Sequence, residues 1–182
     1  MPQKLLLMFG VMPLWLAAGW ADWVLHRRTR IEATAGVRES VLHMVMLAEM
    51  GLAVLAVLVL EVNAGVLALC VAAFAAHELT VYADLTWAAP RRVISPFEQM
   101  VHSVQEMLPL VALALLVSLH WDETLSLLGL GMGPASFTPL LRRDPLPGAY
   151  LWAVAASCLL LAGCYVEELW RCVRASPARG AR

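Results

Sequence analysis

Charged side chains are scarce in this chain. Asp, Glu, Lys and Arg make up 15% of its 182 residues, apolar residues make up 61%, and the mean hydropathy is +0.73. A soluble globular domain carries about 25% charged residues, so the composition excludes that class. The net charge of −1, together with the lack of a basic patch with interleaved aromatic residues, indicates that nucleic acid is not a partner.

Several signatures of cofactors and cross-links are missing as well. The four cysteines form no C-x-x-C pair, which argues against a disulfide framework. No flavin, dinucleotide or iron–sulfur motif is found, nor are the H-x-x-x-H and H-x-x-H-H boxes of membrane desaturases and hydroxylases. Any redox chemistry would therefore depend on dispersed metal ligands and on electrons from a separate donor.

Long apolar segments make up most of the sequence. A transmembrane helix needs roughly 20 predominantly apolar residues, and five segments meet that requirement. The predicted spans are 4–25, 41–61, 64–85, 99–120 and 149–168. They predict an all-α integral membrane protein with a single domain over 1–182, a long external loop at 121–148 and a cytoplasmic tail at 169–182.

Basic residues are unevenly shared between the two predicted faces of the membrane. Ten arginines fall on the face that holds 26–40, 86–98 and 169–182, against three basic residues on the other face. Positive charge accumulates on the cytoplasmic side of membrane proteins. We therefore expect the N-terminus outside, the C-terminus in the cytoplasm, and a location such as the bacterial inner membrane.

Acidic and histidine side chains recur at helical spacing in the first four spans. Residues that lie four or seven positions apart share one face of a helix. The pairs are Asp22/His26, Glu39/His43, His77/Asp84 and Glu98/His102. Because successive spans run in opposite directions, all four pairs are predicted to converge near the arginine-rich face.

One such pair alone would indicate an interfacial hydrogen bond or a helix cap. Four pairs are harder to explain this way, because each ionisable group in a bilayer costs about 2.5–3.5 kcal/mol on insertion scales. Carboxylates and imidazoles on facing helices of a four-helix bundle are the ligand set of dinuclear metal sites. The first four helices are therefore predicted to form a bundle around two metal ions, with iron favoured and zinc or manganese as alternatives.

The candidate residues follow from these faces. The predicted metal ligands are Asp22, His26, Glu32, Glu39, His43, His77, Asp84, Glu98 and His102. Glu106, one turn beyond His102 on the same face, is the predicted proton relay, and Tyr82 is a predicted redox or relay residue. His120 lies at the opposite end of its span and is not expected to join the site.

These residues predict an enzyme that hydroxylates or desaturates a lipophilic substrate or lipid with O2. Its electrons would come from a donor that docks on the cytoplasmic face, and membrane lipids would surround it. Three other functions stay open at this point. They are a zinc-dependent lipid hydrolase, a b-type haem electron carrier and a divalent-metal transporter.

Overall fold

The computed structural model describes residues 2–176, and the regular structure in this range is helical. A single β-bridge between Leu60 and Leu141 is the exception. The prediction of an all-α protein is confirmed. The helices are α1 (Pro2–Thr29), α2 (Val37–Val59), α3 (Ala64–Ala88), α4 (Pro96–Leu119), α5 (Trp121–Leu127) and α6 (Gly148–Ala175).

All of these helices except the short α5 are long and apolar enough to cross a membrane. The prediction of five transmembrane helices is therefore supported by length and composition. Both α1 and α6 continue past their predicted spans, to Thr29 and Ala175. The first half of the predicted tail, 169–175, is helical as a result, and its last six residues, 177–182, lie outside the described residues.

Local signals explain where the helices begin and end. Arg30 adopts a left-handed conformation and stops α1. At the start of α4, Ser95 and Glu98 form a capping box, with Pro96 in the first turn, where its missing N–H is not needed. The side chain of Asn63 accepts a hydrogen bond of 3.1 Å from the backbone N–H of Val66 and caps α3.

Alternating helix directions bring most arginines to one end of the bundle. We call this the arginine end; it holds the end of α1, the start of α2, the α3–α4 connection and the end of α6. The arginines there are Arg27, Arg28, Arg30, Arg38, Arg91, Arg92, Arg171 and Arg174. Arg179 and Arg182, which are counted among the ten arginines of the predicted cytoplasmic face, lie outside the described residues.

The opposite end, which we call the loop end, is covered by residues 128–147. The guanidinium of Arg142 donates to the carbonyl of Val57 at 3.1 and 3.2 Å, which satisfies a free acceptor at the end of α2. The backbone N–H of Gly65 donates to Ser136 at 2.9 Å. An added Cβ at Gly65 would lie 2.9 Å from the Cα of Phe137, so this close contact requires glycine.

The two ends of the bundle have different interiors. Near the loop end the buried core is apolar, built around Val66, Leu67, Cys70 and Leu116. Near the arginine end the most deeply buried side chains include His26, Glu39, Glu98 and Glu168, each with no exposed surface. The polar interior is therefore concentrated at one end of the helices.

Candidate metal centre

Eight side chains from five helices meet inside the arginine end. We call them the acid–histidine cluster. They are Asp22 and His26 of α1, Glu39 and His43 of α2, Asp84 of α3, Glu98 and His102 of α4, and Glu168 of α6. Seven are buried, and His102 is partly buried. Helix periodicity puts each same-helix pair on one face, which is why the sequence spacing leads to this convergence.

One carboxylate holds two of the imidazoles. The rings of His26 and His43 are stacked, with centroids 4.5 Å apart and planes 9° from parallel. Glu168 lies beside both, with Oε2 at 3.2 Å from Nδ1 of His26 and Oε1 at 2.8 Å from Nδ1 of His43. A carboxylate can only accept, so both Nδ1 atoms are assigned the proton. Each Nε2 is then left with a lone pair.

Those lone pairs lie near carboxylate oxygens, and the one on His26 also lies 3.4 Å from Nη2 of Arg92, which can donate to it. Nε2 of His26 lies 3.3 Å from Asp22 Oδ1 and 3.5 Å from Glu98 Oε1. Nε2 of His43 lies 3.6 Å from Asp84 Oδ2. Lone pairs pointed at carboxylate oxygens repel one another unless a cation or a proton lies between them. The arrangement therefore favours a positive charge between each Nε2 atom and the neighbouring carboxylate oxygen.

Asp22 is the centre of a second contact group. Its Oδ1 lies 2.9 Å from Nε2 of His102, and its Oδ2 accepts a hydrogen bond of 3.1 Å from the hydroxyl of Tyr165. The same hydroxyl lies 3.3 Å from the carbonyl of Gly19. Tyr165 thus fixes the carboxylate from α6, and Oδ1 is shared by His26 and His102.

Two carboxylate oxygens in the cluster have no hydrogen-bond partner among the described residues. They are Oε2 of Glu39 and Oδ1 of Asp84, and both are buried. Buried carboxylate oxygens without a partner are strongly destabilising. Both residues belong, with His43, to one group whose ligand atoms lie within 4.8 Å of one another. This group has the donors and the unsatisfied charge that a metal ion would use.

Arg92 is the one basic side chain among the described residues that contacts the cluster carboxylates. It lies 2.6 Å from Glu39 Oε1 and 2.5 Å from Glu98 Oε1, and its own side chain is only 3% exposed. Burial by itself lowers the pKa of Arg92, but hydrogen bonds and charge attraction from Glu39 and Glu98 outweigh it and raise this pKa above its usual value. Arg92 therefore keeps its charge at any physiological pH.

The donor–donor separations suit metal ions. Ligand atoms bonded to one ion at about 2.1 Å lie roughly 3.0–3.4 Å apart. The His102–Asp22, His26–Asp22 and His43–Asp84 contacts measure 2.9, 3.3 and 3.6 Å, and all ligand atoms of each group lie within 4.8 Å of one another. Two groups use separate ligand atoms, namely Asp22/His26/His102 and Glu39/His43/Asp84. The residues present can thus hold two cations with Glu168 outside both, orienting the imidazoles.

Seven of the nine predicted metal ligands lie in the cluster. Glu32 does not: it forms an ion pair with Arg171 at the arginine end, and a longer one of 3.5 Å with Arg30. His77 was expected beside Asp84, but it lies two helical turns deeper, about 10 Å along α3. There its Nδ1 is 3.9 Å from Glu49 Oε2, and neither atom has a hydrogen-bond partner within residues 2–176.

The two predicted catalytic residues lie outside the cluster. Tyr82 is 73% exposed on the outer surface of α3, so the structure does not bring it to the acids and histidines. Glu106 lines the central cavity near the middle of α4, at a depth similar to that of Glu49 and His77. Its predicted role as a proton relay stays a prediction.

Reasoning from the sequence missed three residues of this site: Glu168, Tyr165 and Arg92. The signal for Glu168 is present, because an acid near the end of an apolar span is unusual, but the predicted fifth span ends at this residue. Tyr165 precedes Glu168 by three positions and so shares its helix face. Nothing in the adjacent Arg91–Arg92 pair distinguishes the buried arginine from the exposed one.

A cavity connects the cluster to the apolar part of the bundle. It has a volume of about 490 Å³, and its polar end is formed by Asp22, His43, Asp84 and His102. A second cavity of about 280 Å³ continues toward the loop end. The two share Met12, Trp15, Met50, Val54 and Leu58, so they are adjacent along the bundle, and we call them together the apolar channel.

Comparisons with protein-family models, with curated proteins and with solved structures found no match to this chain.

Proposed function

We propose that the acid–histidine cluster binds two divalent metal ions, and that the protein is a membrane enzyme that oxidises a lipophilic substrate with O2. The observation that carries the proposal is the buried charge. Five buried carboxylates and one buried guanidinium leave a net charge of −4 if the three imidazoles are neutral. Two divalent cations balance that charge.

The alternative explanation is that bound protons, and not metal ions, neutralise the buried negative charge. Protonation of all three imidazoles would reduce the net charge only to −1 and would still leave Glu39 Oε2 and Asp84 Oδ1 without partners. Metal ions satisfy the lone pairs of Nε2 and the orphaned carboxylate oxygens together. This favours cations over a purely structural network of hydrogen bonds.

The type of metal follows from the ligands. Carboxylates are hard donors and imidazole is borderline, a combination that suits iron or manganese, while zinc sites more often use histidine and cysteine. Carboxylate-rich dinuclear sites inside helical bundles are associated with iron and with O2. We therefore propose iron, and oxidation as the reaction.

The protein's own residues have defined parts in this proposal. Glu168 holds His26 and His43 in the tautomer that leaves Nε2 free to bind metal, and Tyr165 orients Asp22. The apolar channel excludes water and holds a hydrocarbon chain against the cluster. Hydroxylation of one C–H bond consumes one O2, two electrons and two protons and releases one water. The electrons come from a separate carrier that docks at the arginine end.

A metal transporter is disfavoured by what lies beyond the middle of the bundle. Past Glu106 the channel lining is mostly apolar, and its basic groups near the loop end are Lys4, His120 and Arg142. Burial lowers the pKa of His120, and Arg142 lowers it further. Two permanent positive charges at that end would repel a cation on its way through.

Metal analysis of purified protein tests the proposal. We expect about two metal ions per chain, mainly iron, by mass spectrometry of the elements. His43→Ala should lose at least the ion held by Glu39, His43 and Asp84, because it removes the one nitrogen ligand of that group. The matched control is His77→Ala, which deletes an imidazole from the same cavity but outside the cluster and should retain metal.

Three results would contradict all or part of the proposal. Well-folded wild-type protein with no bound metal would leave the cluster as a structural network. Full metal loading in His43→Ala would show that the metal lies elsewhere. A yield of zinc in place of iron would preserve the site and exclude oxidation.

A further inference from the structure

The acid–histidine cluster is closed toward the arginine end. Four apolar side chains seal it there: Ile31 and Ala88 have no exposed surface, Ala35 is 4% exposed and Cys172 is 1% exposed. Arg92 fills the space between Glu39 and Glu98, and the indole of Trp87 donates to the carbonyl of Ala35. A substrate in the water at this end would meet packed side chains in the described region.

The channel opens instead on the lipid-facing surface between α2 and α6. Four residues line the cavity and are also exposed: Gly51 and Leu55 on α2, and Ala155 and Leu159 on α6. An added Cβ at Gly51 would meet no atom within 4 Å, so the slot is open at this position. Toward the arginine end the helices close together, where Glu168 reaches His43.

The depth of this slot restricts what can pass. Gly51 lies near the middle of α2, eight residues or about 12 Å from His43. In a membrane that position falls in the hydrocarbon core, far from the headgroup regions. A lipid with a charged headgroup would have to desolvate it to enter here, whereas an uncharged lipid dissolves in the core.

The channel is long enough and apolar enough to hold a hydrocarbon chain. From His43 to Leu58 it extends about 22 Å along α2, longer than the roughly 15 Å of hydrocarbon in one leaflet. Its walls over this distance are formed by side chains such as Trp15, Met46, Met50 and Val54. Flexible methionines adapt to a chain of variable shape.

We propose that the substrate is a neutral lipid, a long hydrocarbon chain without a charged headgroup, that enters sideways from the bilayer core through the slot between α2 and α6. That this lipid is the one oxidised rests on the proposed function. The entry route and the preference for an uncharged molecule rest on the slot and the sealed arginine end alone.

Photo-crosslinking tests this proposal. Protein in phosphatidylcholine nanodiscs is labelled with two probes of equal chain length, a fatty alcohol and the corresponding alkyl phosphocholine. Each carries a diazirine halfway along its alkyl chain, so that both probes reach the depth of Gly51 in the bilayer, and crosslinks are mapped by mass spectrometry. On α2, Met46, Met50 and Val54 report the channel. The exposed residues Val45, Leu52 and Val59, which do not line the cavities, report bulk lipid.

We expect the fatty alcohol to label both sets of residues and the phosphocholine to label only the exposed set. Gly51→Phe, which fills the slot, should reduce channel labelling about tenfold, equivalent to about 1.4 kcal/mol. The control Leu52→Phe alters the neighbouring lipid-facing position and should leave channel labelling unchanged. Metal content is measured in the same samples and should not differ between these variants.

The outcomes separate the two proposals. Channel labelling that is unaffected by Gly51→Phe would refute entry through the slot. Equal labelling of the channel residues by both probes would refute the preference for an uncharged lipid. Absent channel labelling in metal-loaded protein would overturn both parts of this inference while leaving the metal site intact. Slot-dependent channel labelling in protein without metal would support the inference and refute the proposed function.

Discussion

At the scale of single residues, the site depends on carboxylates that hold other side chains in position. Glu168 is the clearest case, because each of its two oxygens accepts a hydrogen bond from the Nδ1–H of a histidine on a different helix. Carboxylates placed behind histidine ligands set the tautomer and ring orientation of those ligands. The cluster would keep its donors without Glu168 but would lose the geometry that presents two Nε2 atoms together.

Glu168→Gln tests this function of the carboxylate. Glutamine has one acceptor oxygen, so it can satisfy only one of the two Nδ1–H groups, and its NH2 group faces the other. We expect metal affinity to fall about 10–100-fold, as for other residues that orient metal ligands. Equilibrium metal titration of chelator-treated protein measures the change.

The neighbouring Glu167 provides the control. It pairs with Arg27, Arg171 and the indole of Trp23 near the surface and does not contact the cluster. Glu167→Gln should leave metal affinity at the wild-type value. Equal losses in both variants would mean that Glu168 contributes general stability to α6 and does not orient the histidines.

Arg92→Ala should destabilise the folded protein severely. The substitution leaves Glu39 and Glu98 buried without their cation, and breaking a buried ion pair costs about 3–5 kcal/mol. For a chain of this size that corresponds to a fall in thermal midpoint of roughly 10 °C. Thermal unfolding in detergent, followed by tryptophan fluorescence, measures it.

Arg91→Ala is the matched control for Arg92. Arg91 is exposed and its guanidinium lies 3.2 Å from the ring centre of Trp87, a contact worth about 0.5–1 kcal/mol. Arg92→Lys should fall between wild type and Arg92→Ala, because lysine keeps the charge but cannot hold both carboxylates in the same planar geometry. Similar thermal midpoints for Arg91→Ala and Arg92→Ala would show that the ion pairs of Arg92 with Glu39 and Glu98 do not stabilise the folded protein.

At the scale of helices and loops, the loop end is held by backbone contacts. Residues 128–147 contribute the carbonyl of Leu140 to Glu61 and that of Ser136 to Gly65, while Arg142 reaches back to α2. These bonds satisfy groups in the short α2–α3 turn that the helices leave free. The loop therefore fixes α2 relative to α3, and with them the channel wall.

Gly65→Ala should loosen this connection. The new Cβ would lie 2.9 Å from the Cα of Phe137, a backbone atom, so the loop must move. Overpacking of this kind costs about 1–3 kcal/mol, and the thermal midpoint should fall by several degrees. Gly51→Ala is the control, since its Cβ meets open space, and its midpoint should equal or exceed that of wild type.

Comparable stability of Gly65→Ala and wild type would mean that the loop shifts freely and does not hold α2 against α3. Protease accessibility of 128–147 should increase in Gly65→Ala and stay unchanged in Gly51→Ala. Metal content should be retained in both, because the cluster is at the opposite end.

At the scale of the whole molecule, polarity changes along the bundle. Arginines and buried acids occupy one end, apolar walls occupy the channel, and the loop covers the other end. The acid–histidine cluster therefore lies near one end of the spanning helices, and so near one membrane surface. The excess of arginine predicts which surface that is.

Reporter fusions test the predicted orientation. A reporter joined after Arg182 should behave as cytoplasmic, and one inserted near Pro134 should behave as external. The reverse pattern would move the acid–histidine cluster to the outer surface. An electron donor in the cytoplasm would then be excluded, although metal binding would not be affected.

The sequence alone determined the properties that lie within one helix. Hydropathy defined five spans because crossing a bilayer requires a continuous apolar run. Spacing defined the Asp22/His26, Glu39/His43 and Glu98/His102 faces because helical periodicity is a local property. The alternation of helix direction then placed these pairs at one end without any knowledge of how the helices pack.

Tertiary structure decided which of those faces meet. His77 shares a face with Asp84 but lies too deep to reach the cluster, since the height of each residue depends on how the helices are aligned lengthwise. Glu168 and Tyr165 enter because α6 packs beside α1 and α2, and Arg92 rather than Arg91 turns inward from the α3–α4 connection. Helix rotation, tilt and alignment follow from side-chain packing between distant segments, and no pattern within a single span encodes them.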